Sequence, residues 1–468
     1  MNAPVERKPA PADAPPTEHV IRMYEARQQI YPRETKGRYA SLRWLCVWLT
    51  QLVFYGLPWL TWNDRQAVLF DLGTRKFYLF GLVLWPQDFI YLAALLIICA
   101  WGLFLVTAIA GRVWCGFACP QTVYTEIFLW IERRIEGSRA ARIALDKGGP
   151  SVKKTAKKVA KHAAWGIFAL WTGFTFVGYF TPIQTMGEQA FTLSFGPWEW
   201  FWVLFYALAT YGNAGWLREQ VCKYMCPYAR FQSSMFDRDT LIITYDEKRG
   251  EPRSKKGTGG SCIDCTLCVQ VCPVGIDIRQ GLQYECISCA ACVDACNVVM
   301  DKVNQPRGLI RYSTDRAMAA NMSSADIRRR ALRPRVLAYC AALLAVIAAV
   351  GITLATRTPL MMDVIRDRGS MGREVDGGAI ENVYRLQIMN TSEQPHRYRI
   401  TASGLPGLKL ATDDVVALAA TETRAVPVRV QAPHGAGTTG SNRIDFTLTA
   451  VDDPALAVSE KAVFIVPR

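Results

Sequence analysis

Two copies of one cysteine cadence constrain this chain more than any other feature. Cys262, Cys265, Cys268 and Cys272 are spaced C-x-x-C-x-x-C-x-x-x-C, and Cys286, Cys289, Cys292 and Cys296 repeat that spacing. Twelve of the 15 cysteines fall in four tight groups between Cys115 and Cys296, and none follows Cys340. The C-terminal region therefore has no disulfide framework, and grouped thiols of this kind in a reducing compartment indicate metal ligation. Three closely spaced thiolates wrap one face of an iron–sulfur cubane, while the fourth of each run is better placed on the other cube. The expected ligand sets are Cys262, Cys265, Cys268 and Cys296 for one [4Fe–4S] cluster, and Cys286, Cys289, Cys292 and Cys272 for the second. Zinc also uses Cys-x-x-Cys pairs, but a tetrahedral site does not need eight cysteines in a doubled run. Pro273 follows the first run and Asn297 stands at the equivalent place in the second. Neither is a ligand, so altered local backbone, not a lost cluster, is expected there.

Long apolar runs flank this segment. They cover Leu42 to Trp62, Asp88 to Ala110, Ala163 to Thr181, Trp198 to Trp216 and Arg335 to Thr356. Each is close to the ~20 residues a bilayer-spanning helix needs. A buried globular helix explains one such run; five with alternating flanking charge point to a bundle of five spans. The connection 111–162 holds 5 Arg and 6 Lys, whereas 182–197 holds none and 63–87 holds 3. Basic loops stay on the cytoplasmic side. The N-terminus and residues 218–333 are thus expected inside, and the C-terminus outside. The net charge of +14 fits this placement. It does not call for a nucleic-acid partner, because the basic residues border the apolar runs and lipid is the surface they meet.

The texture then changes. Beyond Pro359, alternations such as Val426/Val428/Val430 and Ile444/Phe446/Leu448, separated by Gly, Pro, Asn and Asp turns, predict a small periplasmic β-sandwich. The expected organisation is a cytoplasmic tail at 1–41, four membrane helices across 42–240 and a ferredoxin-like domain with two [4Fe–4S] clusters at 241–333. A fifth span at 334–357 and the sandwich at 358–468 complete it. The tail is Pro/Ala-rich with no apolar core, which is unlike a signal peptide.

A larger repeat is visible as well. Spans one and two end in VWCGFACPQ, and spans three and four end in QVCKYMCPY. Cys115/Cys119 and Cys222/Cys226 each stand four residues apart, so on a helix each pair shares one face. Pro120 and Pro227 suit a helix start or break at the membrane border. Together the four sulfurs make a soft-ligand site for which Cu(I), zinc and a further iron–sulfur cluster compete. His162, at the cytoplasmic start of span three, is a candidate supplementary ligand. The only histidines are His19, His162, His396 and His434, none inside a span, so a bis-His intramembrane haem is excluded. No glycine fingerprint opens a βαβ unit, so electrons are expected from a partner, not from a built-in flavin or nicotinamide.

On WCGFACPQTVYTE, CKYMCPYARFQ and SCIDCTLCVQVCPVGIDIRQGLQYECISCAACVDAC, the chain resembles the FixG/RdxA/CcoG family of cytochrome c oxidase accessory proteins along nearly its whole length. The resemblance implies an immunoglobulin-like C-terminal domain and a role in assembling cbb3-type cytochrome c oxidase by reducing Cu(II) to Cu(I). It makes Cys115, Cys119, Cys222 and Cys226 the copper-handling, catalytic residues, fed with electrons by the eight ferredoxin cysteines. Oxidase assembly factors or copper chaperones and a cytoplasmic electron donor are the implied partners, and a homodimer is left open. Two rivals share these motifs: a quinol-linked membrane ferredoxin subunit, and a redox-sensing assembly scaffold without catalysis.

Overall fold

The structure is a computed structural model describing residues 29–467 apart from 255–258, 368, 370–371 and 376. Residues 1–28 of the expected tail lie outside the described residues. All five apolar runs carry helix, but with different ends. Helix α1 (Arg38–Gly56) stops short of Trp62, because Pro58 removes a backbone donor and the chain tightens into a 3-10 turn over Leu57–Trp59. Helix α2 spans Phe89–Ala110. Further along, α6 (Val152–Val177) takes in the whole basic run KKTAKKVAK, and α8 (Pro197–Thr210) passes into a π-helical stretch over Tyr211–Leu217. Helix α15 covers Pro334–Ala355.

Among the described residues, two helices are long and apolar enough to cross a membrane, Pro86–Ala110 and Pro334–Ala355. The interruption of α8, and the Arg, Gln, Lys and Thr scattered through α1 and α6, keep the other three below that mark. Those three still expose large apolar side chains, including Leu45, Trp48, Ile167, Phe201 and Leu208. Helices α2 and α15 lie side by side and are latched at both ends. Arg333 donates to the Ala108 carbonyl at 2.7 Å, and Arg357 donates to Asp88 at 2.6 Å. They therefore run antiparallel between a cysteine-rich end and a β-rich end. Helices α6 and α8 meet closely, since a Cβ on Gly173 would run into the Val203 backbone.

At the β-rich end, the connection after α1 is not an irregular loop. It forms β1 (Thr61–Trp62) paired with β2 (Arg65–Gln66), then a meander of β3 (Val68–Asp71), β4 (Lys76–Leu79) and β5 (Leu82–Leu84). The connection before α8 holds α7 (Ile183–Thr192). The C-terminal sandwich supplies β8 (Leu360–Arg366), β9 (Arg373–Val375), β10 (Ala379–Asn390), β11 (His396–Ser403), β12 (Lys409–Leu410), β13 (Val415–Leu418), β14 (Thr423–Ala432), β15 (Gly440–Ala450) and β16 (Ala457–Val466). One sheet runs β12-β14-β10-β8, with β9 also on β10; the other runs β13-β11-β15-β16. The alternation delivers its inward set to the core: Val428, Val430, Ile444, Phe446 and Leu448 are fully buried.

The cysteine-rich end begins with α3 (Val113–Phe117), α4 (Pro120–Glu136) and α5 (Arg139–Lys147), joined later by α9 (Pro227–Met235). Strand β6 (Ile242–Tyr245) pairs antiparallel with β7 (Ile310–Ser313). Between them lie the short helices α10 (Glu247–Gly250) and α11 (Leu267–Gln270), and the longer α12 (Ala291–Lys302). Helices α13 (Asp315–Ala320) and α14 (Ser324–Ala331) lead back to α15. Asn297 keeps its backbone donor where the first run has Pro273, so α12 continues through it, and its side chain accepts from the Gly308 amide at 3.0 Å.

Candidate functional site

Each cysteine run curls through matching left-handed residues, Asp264 and Thr266 in the first, Ser288 and Ala290 in the second. Turns of this kind fold the loop around its own centre, as iron–sulfur sites require. Cys262, Cys265 and Cys268 line one pocket together with Cys296, which arrives from α12. Cys286, Cys289 and Cys292 line a second with Cys272, while Cys268 also reaches its wall. Met300, Leu309 and Ile310 close in on the first, where Tyr245, Thr266 and Arg279 add polar groups, and the walls of the second are apolar, with Val274, Ile276 and Ile287 among them.

Burial dominates the chemistry of these thiols. It pushes Cys268 and Cys286 up to about 11, and Cys272 and Cys296 up to about 12, with neighbouring cysteines adding to the rise at Cys272, Cys286 and Cys296. Cys292 is also raised well above the ordinary thiol range, again by burial first. As free thiols they hold their protons, and a metal would have to displace them. Four sulfurs converging on each of two small pockets is the donor set a cubane takes.

The Cys115/Cys119 and Cys222/Cys226 pairs, expected at the membrane border, differ from the expected single helical face. Cys115 lies in α3, but Cys119 is the extended residue that caps α4, with Pro120 at its first position. The second copy repeats the plan: Cys222 lies in a π-turn (Val221–Met225), and extended Cys226 caps α9 before Pro227. The two copies meet. Burial raises Cys115 to about 11 and Cys222 to about 12, and each is raised further by other cysteines of the foursome. Cys115 also lies against Gln232, Sγ to Oε1 3.4 Å. Among the described residues no three His, Cys, Asp or Glu side chains converge closely enough to hold one metal ion. The eight ferredoxin cysteines share that spacing, as sulfurs disposed around a polynuclear cluster do.

His162 stands in an aromatic box. Its Nδ1 meets the Tyr211 hydroxyl at 2.8 Å, and its ring stacks on Trp216 at 5.7 Å. Burial, with Lys161 and Lys158 next, lowers its proton affinity.

Three residues hold this region together without being evident beforehand. A Cβ on Gly116 would stand 2.6 Å from the Ile287 carbonyl and 2.8 Å from Cys289 Cα, so α3 rests directly on the second cysteine loop. Cys115 accordingly joins the apolar cluster containing Cys272, Cys286, Cys289 and Cys292. Asp294, between two cysteines of α12, accepts from the backbone amides of Ala40 (2.8 Å) and Tyr39 (3.3 Å) at the start of α1. Arg112 is buried beside α3 and donates to the Ala229 carbonyl. A glycine inside a cysteine motif, an acid between cysteines and a lone arginine after an apolar run are the local traces they leave in the sequence, and none of these names its distant partner.

Comparison with known proteins fits this geometry. A family model described as "IG-like fold at C-terminal of FixG" matches residues 350–467. A 4Fe-4S dicluster domain matches 217–259 and 253–315, and a 4Fe-4S binding domain matches 92–137. Nitrogen fixation protein FixG of Rhizobium meliloti is 39% identical over 87% of this chain and 85% of its own length. Proteins RdxA and RdxB of Cereibacter sphaeroides are 38% and 37% identical over 88% and 92% of the chain, and over 91% and 94% of their own lengths. Among solved structures, a FixG-related protein from Vibrio parahaemolyticus matches 23% of this chain and 96% of its own at 25% identity, with a TM-score of 0.22.

Proposed function

This chain belongs to the FixG/RdxA family of iron–sulfur electron-transfer proteins, and on that premise we propose that it reduces Cu(II) to Cu(I) for assembly of a cbb3-type cytochrome c oxidase. The observation that carries the reading is the contact of α3 with the second cysteine loop, which sets the border thiols against one ferredoxin ligand set. Cys262, Cys265, Cys268 and Cys296 would hold one [4Fe–4S] cluster and Cys272, Cys286, Cys289 and Cys292 the other. When bound, these clusters supply a one-electron relay from a cytoplasmic donor. Cys265 is exposed, which suits an entry point, and the other ligands are buried or half-buried.

Cys115, Cys119, Cys222 and Cys226 receive the substrate ion, and Cu(II) plus one electron gives Cu(I). Soft thiolates favour that product and pass it on by ligand exchange to a copper chaperone or assembly factor. The antiparallel pair α2 and α15, the outward apolar faces of α1, α6 and α8, and the basic loops support five spans in an inner membrane. In that placement the ferredoxin lobe is cytoplasmic and the immunoglobulin-like domain periplasmic. Purified, cluster-loaded protein with a reductant should form Cu(I), read with a Cu(I)-specific chelator. No excess over the Cys115/Cys119/Cys222/Cys226→Ala variant would overturn the proposal.

A second reading has one observation behind it: iron–sulfur family models cover both border segments. The four border sulfurs would then hold iron–sulfur themselves. Iron analysis separates the two, with about 8 iron atoms per chain for two cubanes and more for a third centre.

A further inference from the structure

Gln232 on α9 is completely buried, and both ends of its side-chain amide are occupied. Its Oε1 takes a hydrogen from Cys115 Sγ at 3.4 Å, and its Nε2 donates to Thr107 Oγ1, also at 3.4 Å. Thr107, near the end of α2, is completely buried as well. Its hydroxyl donates to the Leu103 carbonyl at 2.8 Å and lies beside the Tyr228 hydroxyl. Tyr228 itself reaches the Leu103 carbonyl at 3.1 Å. A buried polar chain therefore runs from a border sulfur into α2 and back to α9.

The polarity of this chain is set by Thr107. A hydroxyl carries one hydrogen, and Thr107 gives it to Leu103, so toward Gln232 it acts as acceptor. The amide must then turn its N–H to Thr107 and its oxygen to Cys115. That order suits a thiol, which has a hydrogen to give. A sulfur that has bound a metal ion has none, and it would meet the amide oxygen acceptor to acceptor. Inside the protein such an unmade bond is costly. A half-turn of the amide removes the conflict and keeps every group paired. Nε2 then donates to the sulfur, Oε1 accepts from Thr107, and Tyr228 takes over the Leu103 carbonyl.

We infer that Gln232 is a positioning residue of the copper site, whose amide reverses when Cys115 takes Cu(I) and then holds the loaded sulfur through an N–H···S bond. The inference rests on the copper role proposed above for Cys115. Bonds to a charged acceptor are the stronger kind, and a partner of this type orients a metal ligand and tunes it. Through Thr107 the same reversal carries the state of the border site into α2.

Nitrogen-15 magnetic resonance of the full-length protein, with Cu(I) as the probe, tests it. The Gln232 side-chain amide is the signal missing from Gln232→Leu. It should shift on Cu(I) loading of the unmodified chain and stay in place in Cys115→Ser. Gln232→Leu should also bind Cu(I) about tenfold more weakly in competition with a Cu(I) chelator, since one charge-assisted bond is lost. If Gln232→Leu does not fold, Gln232→Glu removes the same signal with the shape kept, and the shift in the unmodified chain decides. Cu(I) bound at Cys115 with the Gln232 amide unmoved, or undiminished affinity in Gln232→Leu, would overturn the inference and leave the copper reading standing. An unmodified chain that binds no Cu(I) at Cys115 would overturn both.

Discussion

At the scale of single residues, the junction between α3 and the second cysteine loop is where small changes matter most. Gly116→Ala places a methyl against the Ile287 carbonyl and the Cys289 backbone, neither of which is a flexible side-chain tip. Overpacking of this kind costs about 1–3 kcal/mol. The expected result is a lower thermal midpoint with iron content retained, and slower Cu(I) formation because the two sulfur sites have been pushed apart. Proton linkage gives a second expectation. Burial first, and then Cys119, raises Cys115 from its ordinary 9.0 to about 11, so near neutral pH the metal-free thiol holds its proton. On the proposed function, copper must displace it. Copper affinity should therefore rise with pH between 6 and 8, by about tenfold per unit for each proton released. Competition against a Cu(I) chelator across that range measures it, and a flat profile would mean the border thiols are not the ligands.

Among the elements, the attachment of α1 shows how the ferredoxin lobe is held. Asp294 caps α1 from across the molecule, satisfying two amides at a helix start that has no cap of its own. Asp294→Ala should cost about 1 kcal/mol. It should also hasten iron loss on mild heating, seen as faster bleaching of the cluster absorbance, because α12 carries both the cap and Cys296. This is also the scale at which the sequence was least legible. The doubled cysteine cadence names the eight thiols, and the structure gathers them in two groups of four. The period-two alternation of Val428/Val430 and Ile444/Phe446/Leu448 identifies the sandwich, since strand periodicity needs no partner to be read. The border pairs were misplaced onto single helical faces, because Pro120 and Pro227 restart the helix at the second cysteine instead of merely following the first helix. The β3–β5 meander went unseen, as its strands are only 3 or 4 residues long. Arg112 and Asp294 act through contacts more than a hundred residues away, which no local pattern encodes.

Across the whole molecule, the two helices that are long and apolar enough to cross a membrane among the described residues, α2 and α15, both connect the redox end with the immunoglobulin-like end. Their length of 22 residues each gives about 33 Å, near the thickness of a hydrocarbon core. The domain beyond α15 does not hang free. It sits on the small sheet after α1: Arg65 pairs with Glu393 at 2.7 Å, Lys76 donates to the Thr421 carbonyl at 2.6 Å, and Val83 and Trp85 pack with Met389. The strongest tie is Arg357 to Asp88, where both side chains are largely buried. Removing one partner of such a pair leaves the other charge stranded, at a cost of about 3 kcal/mol or more. Asp88→Ala should therefore loosen the domain from its seat while leaving the cysteine-rich end, on the far side of the apolar pair, untouched. Limited proteolysis is expected to cut near residues 356–360 sooner in the variant, with iron content and Cu(I) formation unchanged. Loss of iron or of copper reduction in Asp88→Ala would show instead that the seat of the β-domain and the redox site are mechanically coupled through α2 and α15.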